Sequence, residues 1–171
     1  MTVTIDNFEF DIPQAIQLYK FDQSDKLSPN YHGVSVLKAV DVMIEMPEFY
    51  AFIEIKEYAK PEISNMLEHK WMGKWSSTNW LKNNLLHKYR DTFLYRFCEN
   101  KIDKKIKYIC LLNFDSALLS QFKNILKKEI PVGNKNTHRW SKVLLDQLIV
   151  TNADGWNRKL TTFGLGTCKH L

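Results

Sequence analysis

Glycine and proline are sparse in this chain, six and five residues scattered singly, which excludes collagen-like and low-complexity architectures. No repeat of fixed period runs through it. Cysteine is scarcer still. Cys98, Cys110 and Cys168 are an odd number at spacings that match no zinc ribbon or redox pair, so the sequence predicts a reduced, cytosolic protein. Long apolar runs are also missing. The longest, such as Tyr108-Ile109-Cys110-Leu111-Leu112, fall far short of the roughly 20 residues that cross a bilayer. Asp6, Glu9 and Asp11 near the start leave neither the basic opening nor the apolar stretch of a signal peptide. No membrane partner is expected. The five histidines, His32, His69, His87, His138 and His170, form no HExxH or other close metal spacing, and no glycine-rich loop is present to cradle phosphates.

What is present is a core. Across 171 residues, 44% are apolar and 13% aromatic, enough for one globular domain. The net charge of +5 and pI near 9.0 permit a polyanionic partner without demanding one. The charge is unevenly placed. From His69 to Arg90 there are five Lys or Arg and no acid, so this segment alone matches the excess of the whole chain. Lys70, Lys74 and Lys82 alternate there with Trp71, Trp75 and Trp80, a pattern able to track phosphates while the rings stack on unpaired bases, or simply to pack under a loop. A second cluster, Lys101, Lys104, Lys105 and Lys107, reads as a solvated turn.

Pattern then places the elements. Pro13 with Ile12, Ala15, Ile16 and Tyr19 predicts a short helix, although Ile16, Leu18 and Lys20 also alternate. A polar loop from Gln23 to Gly33 precedes a β-branched run, Val34 to Met46, read as the first clear strand. Pro47-Glu48 interrupts it, and Phe49 to Tyr58 resumes alternation with Ala51, Ile53 and Ile55 on one face. Together these predict a hairpin. Pro61 opens a short helix to about Lys70, and Ser76 to Asn79 cap a longer one from about Trp80 to Glu99, with Leu81, Leu85, Tyr89, Phe93 and Phe97 inward. Ile106 to Phe114 reads as a buried strand, and Asp115 or Ser116 caps a helix reaching Pro131. Strand, helix and strand in order predict a crossover unit. Trp140, Leu144, Leu145 and Leu148 stand at helical spacing in the tail, before an irregular 152–171. Cys98 and Cys110 sit among apolar neighbours and read as inert.

The hairpin carries the chemistry. A turn centred between Pro47 and Glu48 sets Asp41 opposite Glu54 and Ala39 opposite Lys56, with Asp41, Glu54 and Lys56 on one face. Two opposed carboxylates repel, and a divalent cation between them removes the cost. Oxygen ligands suit Mg²⁺ or Mn²⁺. Lys56 would then stand beside the ion, able to orient or deprotonate an attacking water. On the long helix Lys88, Asp91 and Thr92 share a face, while Arg90 projects roughly the opposite way. Lys88 is the catalytic candidate if that face turns to the site, and a solvated face of intrahelical charge pairs is the alternative.

Ala39-Val40-Asp41, a turn, then Glu54-Ile55-Lys56 on the next strand resembles the PD-(D/E)XK nuclease superfamily, with Val40 where the family nominally has proline. The resemblance covers about the first two thirds of the chain. It implies an α/β, restriction-endonuclease-like core over about 12–130, with a mixed central sheet built from a hairpin and a helix-strand crossover, flanked by helices. A C-terminal helical extension completes the single expected domain. It also implies that Asp41, Glu54 and the carbonyl of Ile55 bind metal and that Lys56 assists the water. The chain would hydrolyse phosphodiester bonds in DNA or RNA, with Lys70, Lys74, Trp75, Lys82 and Arg90 on the nucleic acid. No acid lies between Pro13 and Lys20, where many members place a further glutamate. An inactive domain of the same fold, binding nucleic acid or protein, is therefore the alternative.

Overall fold

A computed structural model describes residues 1–59, 63, 78–133 and 137–171. The helix expected from Pro61 to Lys70 falls almost wholly outside them. So do Lys70, Trp71, Lys74 and Trp75.

Among the described residues eight strands form two sheets. β1 (Thr2–Ile5), β2 (Phe8–Asp11) and β8 (Thr167–His170) make an antiparallel sheet in the order β1-β2-β8. The larger sheet runs β3-β4-β5-β6-β7, from β3 (Gln17–Lys20), β4 (Val42–Glu45), β5 (Phe49–Lys56), β6 (Lys105–Leu112) and β7 (Gln147–Thr151). Its first three strands are an antiparallel meander, and β6 and β7 join parallel to β5. The sheet is therefore mixed and the fold is α/β. Helix α1 (Thr78–Cys98) connects β5 to β6, α2 (Ser116–Glu129) connects β6 to β7, and α3 (Ala153–Lys159) follows β7.

Central strands explain the sequence pattern of this sheet. β5 is buried from Phe49 to Ile55, because a strand covered on both faces loses the polar half of its alternation. Met43, Phe52, Tyr108 and Cys110 pack with Leu81, Leu85, Phe122 and Leu126 on the side of α1 and α2. On the other side Val42, Ile53, Ile109 and Leu111 meet Phe8, Phe10 and Trp156. Three layers result, with helices on one face and the small sheet and α3 on the other.

Four expectations change. The segment read as a helix after Pro13 is strand β3, whose residues pair with β4 from Gln17↔Glu45 to Lys20↔Val42. So short an apolar segment cannot repay helix nucleation, whereas the edge of β4 supplies backbone partners at once. The strand read over 34–46 is confined to β4. Residues before Asp41 have no strand beside them, and side chains of α1 take their donors instead. Lys38 N–H donates to Asp91 Oδ2 at 3.1 Å and Val40 N–H to Thr92 Oγ1 at 3.0 Å. The C-terminal helical extension is replaced by an irregular run, strand β7 and then α3 and β8. Leu145 and Leu148 are buried by the parallel ladder with β6 and by the helix-side core, so helical spacing arose without a helix. Cys98 is exposed while Cys110 and Cys168 are buried.

The inward stripe of α1 begins as expected at Leu81, Leu85 and Tyr89, then passes to Thr92 and Arg96. A spacing of four overshoots the 3.6-residue turn by about 40° each step, so Phe93 stays half-buried at the edge of the core and Phe97 is exposed. That drift brings Lys88, Asp91 and Thr92 against the 38–41 segment. Asp115 caps α2, its side chain accepting from Leu118 N–H at 2.9 Å.

Candidate active site at the ends of three strands

The hairpin register is Val42↔Ile53, Met43↔Phe52, Ile44↔Ala51 and Glu45↔Tyr50, the one that sets Asp41 opposite Glu54. β3 ends, β4 begins and β5 ends at the same edge of the sheet. Asp22, Asp41, Glu54 and Lys56 leave the backbone there, and Lys88 reaches them from α1.

Asp41 stands where the strand ladder stops, and its carboxylate extends that ladder. Oδ2 accepts from Ile55 N–H at 2.6 Å. The main chain of Asp41 is held from the other side, its carbonyl accepting from Phe21 N–H at 2.8 Å. The Val40 bond to Thr92 fixes the preceding residue. Each constraint belongs to a different element, so the carboxylate has little freedom.

Glu54 is fully buried. Its Oε1 lies 2.6 Å from Lys56 Nζ and its Oε2 lies 3.6 Å from Lys88 Nζ. Among the described residues neither oxygen has an aligned hydrogen-bond donor. Lys56 Nζ also donates to the carbonyl of Ile55 at 3.1 Å, so one ammonium serves both the Ile55 carbonyl and, as an ion pair, Glu54. Burial pushes the Glu54 carboxyl up to about 8, the Asp41 charge adds to the rise, and Lys88 and Lys56 oppose it. A buried acid beside a second acid resists ionisation for both reasons.

Lys88 sits among three carboxylates: Asp22 Oδ2 at 2.9 Å, Asp41 Oδ1 at 3.6 Å and Glu54 Oε2 at 3.6 Å. Burial alone would lower its affinity for a proton. The charges of Glu54, Asp41 and Asp22 outweigh that and hold it well above the ordinary lysine value, so the side chain is an ammonium.

The structure thus brings together Asp41, Glu54, Ile55, Lys56 and Lys88. Lys82 lies elsewhere, paired with Glu129 of α2 at 3.2 Å. Arg90 is 70% exposed and lines a cavity of about 310 Å³ with Leu86, Phe93 and Ile130. Lys104 is turned to the opposite end of the sheet, on Glu45 at 2.6 Å. Asp22 was not legible as a site residue. Its only signal was position, one residue beyond Phe21 at the opening of the polar loop.

Among the described residues no set of three or more His, Cys, Asp or Glu is arranged to hold a metal ion. Asp41 and Glu54 nevertheless offer two hard oxygen donors near Lys88, and the buried Glu54 Oε2 has no aligned hydrogen-bond donor among the described residues. Mg²⁺ typically uses one or two protein carboxylates and completes its shell with water and phosphate. The donor set fits such an ion, on condition that the Lys88 ammonium yields its place. No protein-family model, curated protein or solved structure matches this chain.

Proposed function

We propose that the chain is a metal-dependent nuclease of the restriction-endonuclease-like, PD-(D/E)XK kind, hydrolysing phosphodiester bonds in DNA or RNA. The observation that carries this reading is the convergence of Asp41, Glu54 and Lys56 at one sheet edge. The surrounding order of a meander, a crossover helix and a parallel strand is that of the family's core, although among the described residues no helix precedes β3.

Asp41, Glu54 and the Ile55 carbonyl would hold Mg²⁺ or Mn²⁺. Once bound, such an ion supplies Lewis acidity toward phosphate oxygen and lowers the pKa of water. Lys56, with its ammonium already at the Ile55 carbonyl, is positioned to orient the water on that side or to neutralise charge growing on the phosphorane. Asp41 keeps its second oxygen aimed inward because the first is tied to Ile55 N–H. Burial and the Asp41 charge raise the affinity of the Glu54 carboxyl for a proton, and a cation arriving beside it would favour the ionised, ligating form.

A second reading rests on Lys88. An ammonium between the acids neutralises them without metal, which is what an inactive nuclease-fold binding module would need. Incubating the purified chain with labelled DNA and RNA, with MnCl₂ or MgCl₂ or with neither, separates the two. Cleavage is expected with metal only, and it should vanish in Asp41→Asn and Glu54→Gln. Intact substrates together with nucleic-acid binding indifferent to both substitutions would overturn the nuclease reading.

A further inference from the structure

We propose that Lys88 is a built-in counter-cation occupying the place of the divalent ion, and that Asp22 is the carboxylate toward which it withdraws when the ion binds. The inference rests on the metal-site reading above and concerns the regulation of that site.

Three observations converge. Lys88 Nζ stands 3.6 Å from both Asp41 Oδ1 and Glu54 Oε2, oxygens of the two carboxylates that would hold an ion. Glu54 Oε2 is buried and among the described residues has no aligned hydrogen-bond donor, so the ammonium faces it without bonding it. The aligned bond of Lys88 goes instead to Asp22 Oδ2 at 2.9 Å, on a side chain 44% exposed at the mouth of the site. The ammonium is bonded to the more exposed of its partners, and a lysine stem has enough rotatable bonds to move farther that way while keeping Asp22.

Charge explains why withdrawal and binding must be linked. Lys88 at its present distance repels any cation entering between Asp41 and Glu54, and the cost of that repulsion is weakened metal affinity. Once withdrawn onto Asp22, the same ammonium lies at the mouth, where it meets an incoming phosphate. Lys88 would thus make the site reluctant toward metal alone and favourable toward metal with a phosphodiester, a reciprocal coupling of the two ligands.

The test is Mn²⁺ affinity, measured by electron paramagnetic resonance and by calorimetry with MnCl₂ as the sole added ligand. Wild type, Lys88→Met, Asp22→Asn, the double variant and Glu54→Gln are compared at one pH, with circular dichroism confirming the fold. Lys88→Met is expected to bind Mn²⁺ about tenfold tighter, equivalent to ~1.4 kcal/mol. Asp22→Asn, which leaves Lys88 only the two acids as partners, should bind it several-fold more weakly. Asp22→Asn added to Lys88→Met should change nothing further, because Asp22 acts through Lys88. Unchanged or weaker binding by Lys88→Met overturns the inference, as does an equal loss from Asp22→Asn in both backgrounds. The metal-site reading fails separately: neither wild type nor Lys88→Met binds Mn²⁺, or Glu54→Gln binds it as well as wild type does. Where Lys88→Met fails to fold, Lys88→Gln takes its place with the same expected tightening, and the same absence of a further effect from Asp22→Asn.

Discussion

The carboxylate of Asp41 takes over a hydrogen bond that a strand would otherwise make: its Oδ2 accepts from Ile55 N–H at 2.6 Å, just past the last paired residues, Val42 and Ile53. Side chain has replaced main chain at the point where the ladder ends. Asp41→Ala therefore removes a charge-assisted bond and strands a backbone donor in partly buried surroundings. A loss of ~1–3 kcal/mol in urea unfolding is expected, larger than the near-neutral effect of an ordinary surface substitution. An unfolding midpoint equal to wild type would show that Asp41 does not anchor this edge.

Glu54 predicts an inverted pH dependence. Its folded value of about 8 lies above the ordinary 4.5, so between these limits the folded chain holds a proton that the unfolded chain has released. Its contribution is complete below about pH 4.5 and is lost as pH rises through 8, with a slope reaching at most ~1.4 kcal/mol per pH unit for one proton. Glu54→Gln, isosteric and always neutral, removes that dependence. Stability curves for the two proteins should draw apart as pH rises from 5 to 8, with the variant gaining. Parallel curves would place the titration elsewhere.

Thr92 positions the site without touching its acids. Its buried hydroxyl accepts from Val40 N–H at 3.0 Å, one residue before Asp41. Thr92→Val keeps the shape and leaves that donor unpaired, at a cost of ~1–3 kcal/mol, whereas Thr92→Ser keeps the acceptor and loses less. Thermal unfolding distinguishes them. Equal losses would mean that packing of the methyl, not the hydroxyl, matters here.

At the far side of the sandwich, Gly166 begins the approach to β8 with φ +50°, and a Cβ there would overlap the carbonyl oxygen of Asp11 and crowd Ile12 Cα at 2.9 Å. Both objections are to backbone, which cannot rotate away. Gly166→Ala should destabilise by more than ~1 kcal/mol through strain and loosened β2–β8 pairing. Unaltered melting would require that this loop shift freely.

How much of this was written in the sequence depends on which forces decide each part. The hairpin and its register were legible because Pro47-Glu48 fixes the turn and a period of two then fixes which side chains share a face. The crossover helices were legible from their apolar stripes and the Asp115 cap. The failures share a cause. β3 and the 34–41 segment each had an apolar pattern that either structure could use, and the outcome turned on a partner distant in sequence, β4 for one and Asp91 with Thr92 for the other. Leu144, Leu145 and Leu148 misled similarly, since a parallel edge strand preceded by a loop that buries Leu145 mimics a helical repeat. Of the site, Asp41, Glu54 and Lys56 follow from local register. The helix phase named Lys88, but its place between the acids is tertiary. Asp22 has no local signature at all.

Lys56 joins structure to chemistry, because its ammonium is 2.6 Å from Glu54 Oε1 and bonds the Ile55 carbonyl at 3.1 Å. Lys56→Met removes a cation that favours the ionised form of Glu54, so the carboxyl should lose its proton at still higher pH than in wild type. Carbon-13 chemical shifts of the Glu54 carboxyl, followed against pH, would display the displacement even in an inactive protein. In the proposed nuclease the same variant should lose ~10²–10⁴-fold in cleavage rate, the usual worth of a positioned acid-base group. Lys56→Arg retains the charge but not the compact ammonium geometry, so it should restore most of the Glu54 titration and little of the rate. If both variants titrate and cleave like wild type, Lys56 neither tunes Glu54 nor serves the reaction.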